Sequence, residues 1–378
     1  MSILTEEQAS LKKMVQDFAG KEIAPFAAEY DRTEKFPWDN VKKMSEIGIM
    51  GLPVPDEYGG AGADTVSYCA VVEEISKACA ATGAILAVHT SAGTLPLVLF
   101  GTQQQKKTYV PDLAAGTKLG AFALTEPGAG SDASRVATTA VVDGDYYVLN
   151  GTKCFITNGG MADVYCIFAT IDRNKGLKGI TGFIVPKDTP GFSIGKKEEK
   201  MGIRASSTTE LILQNCRIPK ENRLGNEGEG FKIAMVVLDG ARIGIGAQAA
   251  GIAQAAYEQA LGYAKVREQF GKPVAAQQAV SFMLADMAIQ IEAARQLVYH
   301  AAQLKDAGLP FGKEAAMAKT FASDVAVKVA LDAVQIMGGY GYSREYPVER
   351  LLRDAKITQI YEGTNQIQRV VIAGQILK

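Results

Sequence analysis

The strongest constraint on this chain's fold is a double switch in hydrophobic period along its length. Apolar residues recur at helical spacing over about the first 120 residues. They change to strand-like runs punctuated by turn dipeptides between about 121 and 224, then return to helical spacing. A helix repeats its buried face every 3.6 residues and a strand every two, so neither one bundle nor one sheet can take the whole chain. The pattern predicts an α+β protein: an N-terminal helical domain (1–120), a central, mostly antiparallel β domain (121–224) and a C-terminal helical bundle (225–378).

Helices are expected over 5–19, 38–47, 65–79 and 103–115, and again near 228–267, 274–305, 313–337 and 366–377. Thr5 and Gln8 have capping-box spacing, followed by an apolar stripe of Leu11, Met14, Val15 and Phe18. Residues 83–99 are apolar almost throughout and read as a buried helix interrupted before Pro96. Val327, Ala330, Val334 and Met337 form another buried stripe, closed by Gly338-Gly339. In the middle block Asp143-Gly144 signals a hairpin, and Asn150-Gly151 repeats the signal before TKCFIT. Further strands are expected at VYCIFATI, ITGFIVP and STTELILQNCRI.

Composition narrows the function classes. The 378 residues carry 40 basic and 41 acidic side chains, so there is no excess charge to hold a phosphate backbone and no nucleic-acid partner is expected. Cys69, Cys79, Cys154, Cys166 and Cys216 form no CxxC pair, and His89 and His300 are the only histidines, so no metal site is expected. Reduced, buried thiols fit a cytoplasmic protein. No signal peptide is read at the N-terminus and no run of about twenty apolar residues to span a membrane, so no membrane partner is expected.

Two matches to GxGxxA, at Gly128–Ala133 and Gly244–Ala249, lack the strand-then-helix setting of a dinucleotide site. The first still sits where helix gives way to sheet. Its glycines and Ser131 would let main-chain N–H groups approach a polar ligand, or would make a plain turn.

Seven segments in order carry a resemblance: FALTEPGAGSD at 122–132, KCFITNG at 153–159, MGIRASSTTEL at 201–211, LDGARIG at 238–244, REQFGKP at 267–273, QIMGGYGY at 335–342 and IYEGTNQIQR at 360–369. Together they resemble the acyl-CoA dehydrogenase family over the whole chain, most of all its short-chain, butyryl-CoA dehydrogenase-like members. The resemblance implies a helical domain, a central β domain and a C-terminal four-helix bundle. It further implies FAD as cofactor, an electron-transfer flavoprotein as redox partner, and a homotetramer built as a dimer of dimers.

By the same resemblance Glu362 is the base that removes the α-proton of an acyl-CoA while a hydride leaves the β-carbon for the flavin. Phe122, Leu124, Thr125 and Ser131, with Phe155, Ile156 and Thr157, would hold the flavin half of FAD. Phe155 stands where many relatives have tryptophan. Arg267, Phe270, Gln278, Gln335, Gly338 and Gly339 match positions around the ADP half, several serving a neighbouring subunit, and Thr364, Asn365 and Gln366 complete that site. Asp239, Arg242, Tyr361, Gly363 and Ser131 correspond to substrate contacts, and Gln254 to a residue that shortens the acyl pocket. From the residues alone Asp239 and Arg242, three apart on one helix face, could instead pair with each other. Two other readings remain at this point: a flavin oxidase or monooxygenase on the same scaffold, and a helical scaffold protein without cofactor.

Overall fold

A computed structural model describes residues 4–377. Seven helices open the chain: α1 (Glu6–Glu22), α2 (Ala27–Thr33), α3 (Trp38–Glu46), α4 (Thr65–Ala78), α5 (Ala80–Val88), α6 (Leu95–Phe100) and α7 (Gln103–Ala114). The capping box forms: Gln8 N–H donates to the Thr5 hydroxyl at 3.2 Å, and Thr5 N–H to the Gln8 amide oxygen at 2.9 Å. The stripe behind it is rotated from the expected one, since Val15 and Ala19 are buried while Met14 is exposed.

The break expected before Pro96 is a π-helical turn, His89–Thr94, and α6 restarts with Pro96 in its first turn. His89 is buried there. Gly120 N–H donates to its Nδ1 at 3.0 Å, and Nε2 donates to the Leu113 carbonyl at 3.0 Å. Burial lowers the imidazole to about 4, so a neutral ring joins α7 to the first strand.

Eight strands follow: β1 (Gly120–Ala123), β2 (Thr139–Asp143), β3 (Tyr146–Thr157), β4 (Val164–Thr170), β5 (Ile180–Pro186), β6 (Phe192–Lys197), β7 (Thr208–Pro219) and β8 (Arg223–Leu224). Their order is β6-β7-β3-β2-β4-β5-β8, with β1 beside β4. Among the described residues only the β1–β4 and β2–β4 pairs are parallel. The β2–β3 hairpin forms with Gly144 at φ +57° as its first loop residue. Asn150-Gly151, by contrast, does not turn the chain. It is a bulge inside β3, where Asn215 N–H donates to the Asn150 side chain at 2.7 Å. Glycine is needed at 151 because a Cβ would stand 2.4 Å from the Thr138 hydroxyl.

The C-terminal part comprises α8 (Gly230–Val266), α9 (Gln278–Asp306), α10 (Gly312–Met337), α11 (Gly339–Tyr342), α12 (Val348–Ile357) and α13 (Asn365–Ile376). Helix α8 packs on α10, α9 and α4, so the N-terminal helices and the bundle share one core. Two contacts fix that union. The Asp306 carboxylate caps α4, accepting from Thr65 N–H at 2.8 Å, and Arg353 grips Asp31 with two nitrogens at 2.7 and 3.0 Å. The expectation that no stretch could span a membrane needs correction. Residues 80–100 and 230–266 are long and apolar enough by composition, yet 78% and 72% of their most apolar windows are buried inside the fold.

The sheet's start is locked by a pair that spacing did not reveal. Lys153, fully buried in β3, donates to Glu126 at 2.7 Å and to the Leu124 carbonyl at 3.1 Å. Glu126 also accepts from Ala137 N–H and Thr138 N–H at 2.7 and 3.0 Å. Desolvation pulls Lys153 down to about 8; Glu126, despite its own desolvation, is held below its usual range by the Lys153 charge. Removing one partner strands the other in the interior. Glu126→Gln should therefore cost about 3 kcal/mol or more of stability, read from the shift in denaturant midpoint.

Candidate active site

The loop joining α12 to α13 carries the candidate base. Glu362 sits there with φ +54°, a left-handed conformation that costs a residue with a Cβ about 1 kcal/mol or more. Gly363 follows at φ +88°, where a Cβ would meet the Gln368 amide nitrogen at 2.5 Å. The turn is pinned from beneath. Gln368 Nε2 donates to the Glu362 and Gly363 carbonyls at 3.0 and 3.1 Å, and Lys319 Nζ donates to the Gly363 carbonyl at 2.8 Å. Tyr361 donates its hydroxyl to Gln248, which in turn donates to the Ala80 carbonyl at 3.1 Å. The candidate base is thus suspended between α5, α8, α10 and α13.

Glu362 is only half-buried as a residue, but one carboxyl oxygen is withdrawn from water. Glu362 Oε2 is shut from solvent with no hydrogen-bond donor among the described residues. Burial pushes the group up to about 7, with Arg242 and then Lys319 pulling part of the way back. Arg242 lies buried on α8, paired with Asp239 as their spacing allowed, and its Nε has no partner. Tyr68, raised above the usual tyrosine range mainly by burial, also feels the Glu362 charge.

The sheet brings the expected flavin-half segments together. Cys154 N–H donates to the Thr125 carbonyl at 3.0 Å, joining Leu124–Thr125 to Phe155–Thr157. Phe122 packs on Phe168 with ring centroids 5.0 Å apart. Phe155 occupies a bulge at φ +56° and is 64% exposed, an aromatic residue held in a rare conformation with its ring outward. An exposed ring, a buried apolar floor of Leu124 and Ile156, and hydroxyls at Thr125, Thr157 and exposed Ser131 fit the flat, polar-edged ring of FAD.

A second cluster is separate. Arg267 ends α8 with its guanidinium 5.6 Å from the Tyr340 ring, beside Gly338 and Gly339. Phe270 is 94% exposed at φ +55° on a small hairpin, and Gln278, Gln335 and Gln366 are also exposed. Among the described residues no hydrogen bond, ion pair or ring contact links this cluster to the first. Thr364 caps α13, and Asn365 is buried with its side chain bonded to Lys319, Ser323 and Asp324. Its main chain is engaged as well: Asn365 N–H donates to the Gln359 carbonyl at 3.0 Å, and its carbonyl accepts from Arg369 at 3.2 Å. Gln254 bonds Arg295 and Glu258, with no bond to the Glu362 loop.

Sequence reasoning passed over Lys319, Gln248 and Gln368. A signal for Lys319 did exist: it interrupts a face of small residues, Ala315, Ala322 and Ser323, that must be buried. The raised acidity constant also makes a prediction. A carboxyl at about 7 in the fold and near 4.5 unfolded contributes stability below pH 4.5 that is lost as pH rises through 7. Glu362→Gln should therefore raise stability at pH 8 by about 3 kcal/mol in denaturant titrations, with little gain at pH 4.5.

Comparison with known proteins agrees with this layout. The chain matches the acyl-CoA dehydrogenase N-terminal domain over 5–117, the middle domain over 121–216 and the C-terminal domain over 228–377. It is 60% identical over 374 residues to an acyl-CoA dehydrogenase of Bacillus subtilis (strain 168), with 99% of each chain covered. It is 55% identical over 375 residues to a short-chain specific acyl-CoA dehydrogenase of Clostridium acetobutylicum, again covering 99% of each. Butyryl-CoA dehydrogenase from Megasphaera elsdenii superposes with a TM-score of 0.97 at 51% identity, over 99% of both chains. This chain therefore belongs to the acyl-CoA dehydrogenase family, FAD-dependent oxidoreductases that act on acyl-CoA.

Proposed function

We propose that the protein dehydrogenates a short-chain acyl-CoA, butyryl-CoA first among them, to the trans-2-enoyl-CoA with Glu362 as the α-proton base. The observation that carries this reading is the Glu362 carboxyl itself, with Oε2 closed to water, no donor of its own and a pKa near 7. An α-C–H beside a thioester is a weak acid, and a desolvated carboxylate is a stronger base than a hydrated one. Arg242 and Lys319 offset part of the burial penalty, so a useful fraction of Glu362 is ionised at neutral pH.

Enolate charge developing on the thioester oxygen needs a donor. The main-chain N–H of Glu362 bonds to nothing among the described residues and is free to supply one. Phe122, Leu124, Thr125, Ser131, Phe155, Ile156 and Thr157 would hold FAD against the site, and bound FAD supplies the acceptor for the β-hydride. Tyr361, Gly363 and Asp239 would border the substrate with Arg242. Glu362 keeps the α-proton until product leaves.

Arg242 and Arg267 are 25 positions apart on α8, about 37 Å along its axis. That span favours the Arg267–Gly339 cluster serving a flavin in a second copy of the chain, within a homotetramer. Reduced cofactor would pass its electrons to an electron-transfer flavoprotein in the cytoplasm. The short-chain preference follows the Clostridium and Megasphaera relatives.

Anaerobic titration with acyl-CoAs of increasing length should bleach the flavin most completely at four carbons. Glu362→Gln should stay yellow while bleaching about 100-fold or more slowly. In wild type, kcat/KM should rise with pH through about 7, as the base loses its proton. A Glu362→Gln enzyme that oxidises butyryl-CoA at the wild-type rate would refute the assignment.

A further inference from the structure

We propose that Lys319 is the positioning residue of the catalytic loop, its buried ammonium fixing the Gly363 carbonyl and standing as a cation beside the Glu362 carboxyl. This rests on Glu362 being the base. Lys319 has no exposed surface, which is rare for a lysine and costly without a partner of opposite charge. Its hydrogen bonds go to neutral oxygens, the Gly363 carbonyl and Asn365 Oδ1, each at 2.8 Å. A neutral amide could satisfy those two acceptors. The charge therefore needs another reason.

The surroundings supply it. On α8, Arg242 disfavours the ammonium, and its own charge is shared with Asp239. On α10, Asp324 acts on Lys319 but is already engaged by Asn365, Gln359 and Arg369 of the loop and α13. Tyr68 on α4 and Tyr361 in the loop are held neutral by burial, and Asp354 of α12 bears on Tyr361. The carboxylate that most favours the lysine charge is Glu362. Desolvation brings Lys319 down to about 7, close to the carboxyl, so the two groups titrate as a coupled pair. When Glu362 takes the α-proton, Lys319 loses its counter-charge, which disfavours the protonated loop and promotes return of the base to its ionised form.

Two substitutions separate charge from hydrogen bonding. Lys319→Gln keeps a donor for the Gly363 carbonyl and removes the cation, whereas Lys319→Arg keeps the cation. With butyryl-CoA, Lys319→Gln should move the acid limb of kcat/KM upward by about one pH unit, while Lys319→Arg leaves its midpoint near wild type even if kcat falls. A readout independent of turnover is the denaturant midpoint at pH 7, where both groups still carry charge. Glu362→Gln should raise it more in the Lys319→Gln background than in wild type, because a lone buried carboxylate is then relieved. An unmoved limb in Lys319→Gln, or strictly additive midpoints, would overturn the role of the charge. Wild-type turnover by Glu362→Gln alone would instead remove the premise about the base and leave Lys319 as a structural donor.

Discussion

Everything distinctive about this site follows from holding one carboxyl in a left-handed turn, with one oxygen closed to water and cations near enough to moderate the penalty but not to bond it. A salt bridge to Glu362 would lower its proton affinity and make it a poor base. Complete isolation would leave it protonated at neutral pH. The structure lies between these limits: Arg242 and Lys319 act through space, while their hydrogen bonds go elsewhere, to Asp239, Gly363 and Asn365. The turn can be this strained because Gln368 and Lys319 clamp both of its carbonyls from the bundle side.

The same device appears at the sheet. Lys153 and Glu126 form a true contact pair, so there the buried charges serve architecture. They draw Leu124 and Thr125 onto β3, beside the exposed ring of Phe155. Two buried lysines thus do opposite jobs. One is quenched by its partner, and the other is left partly unquenched beside a carboxyl whose proton affinity burial has raised.

Much of this was legible in the chain. Long elements with a sustained period, such as α4, α8, α9 and α10, fell close to where their spacing put them, because many residues vote on one period. Short ones did not: α2, α12, β1 and β6 are formed by tertiary packing more than by pattern. Asn150-Gly151 misled because a glycine serving a bulge under Thr138 carries the same local signature as one serving a turn. Glu362 could be named from its motif, but the groups that tune it could not. Lys319 and Gln248 lie 43 and 114 positions away, and only the folded bundle places them beneath the loop.

The ties made by Asp306 and Arg353 carry a consequence for how such a chain can be divided. Three consecutive sequence modules suggest three separable bodies, yet the last residue of α9 completes the first turn of α4, and an α12 guanidinium holds a carboxylate of α2. Cutting on either side of the sheet would leave the Thr65 and Val66 N–H groups of α4 without their acceptor on one fragment and an unmatched Asp306 carboxylate on the other. Modularity in the linear order is therefore not mechanical modularity, since these ties bind the first module to the last.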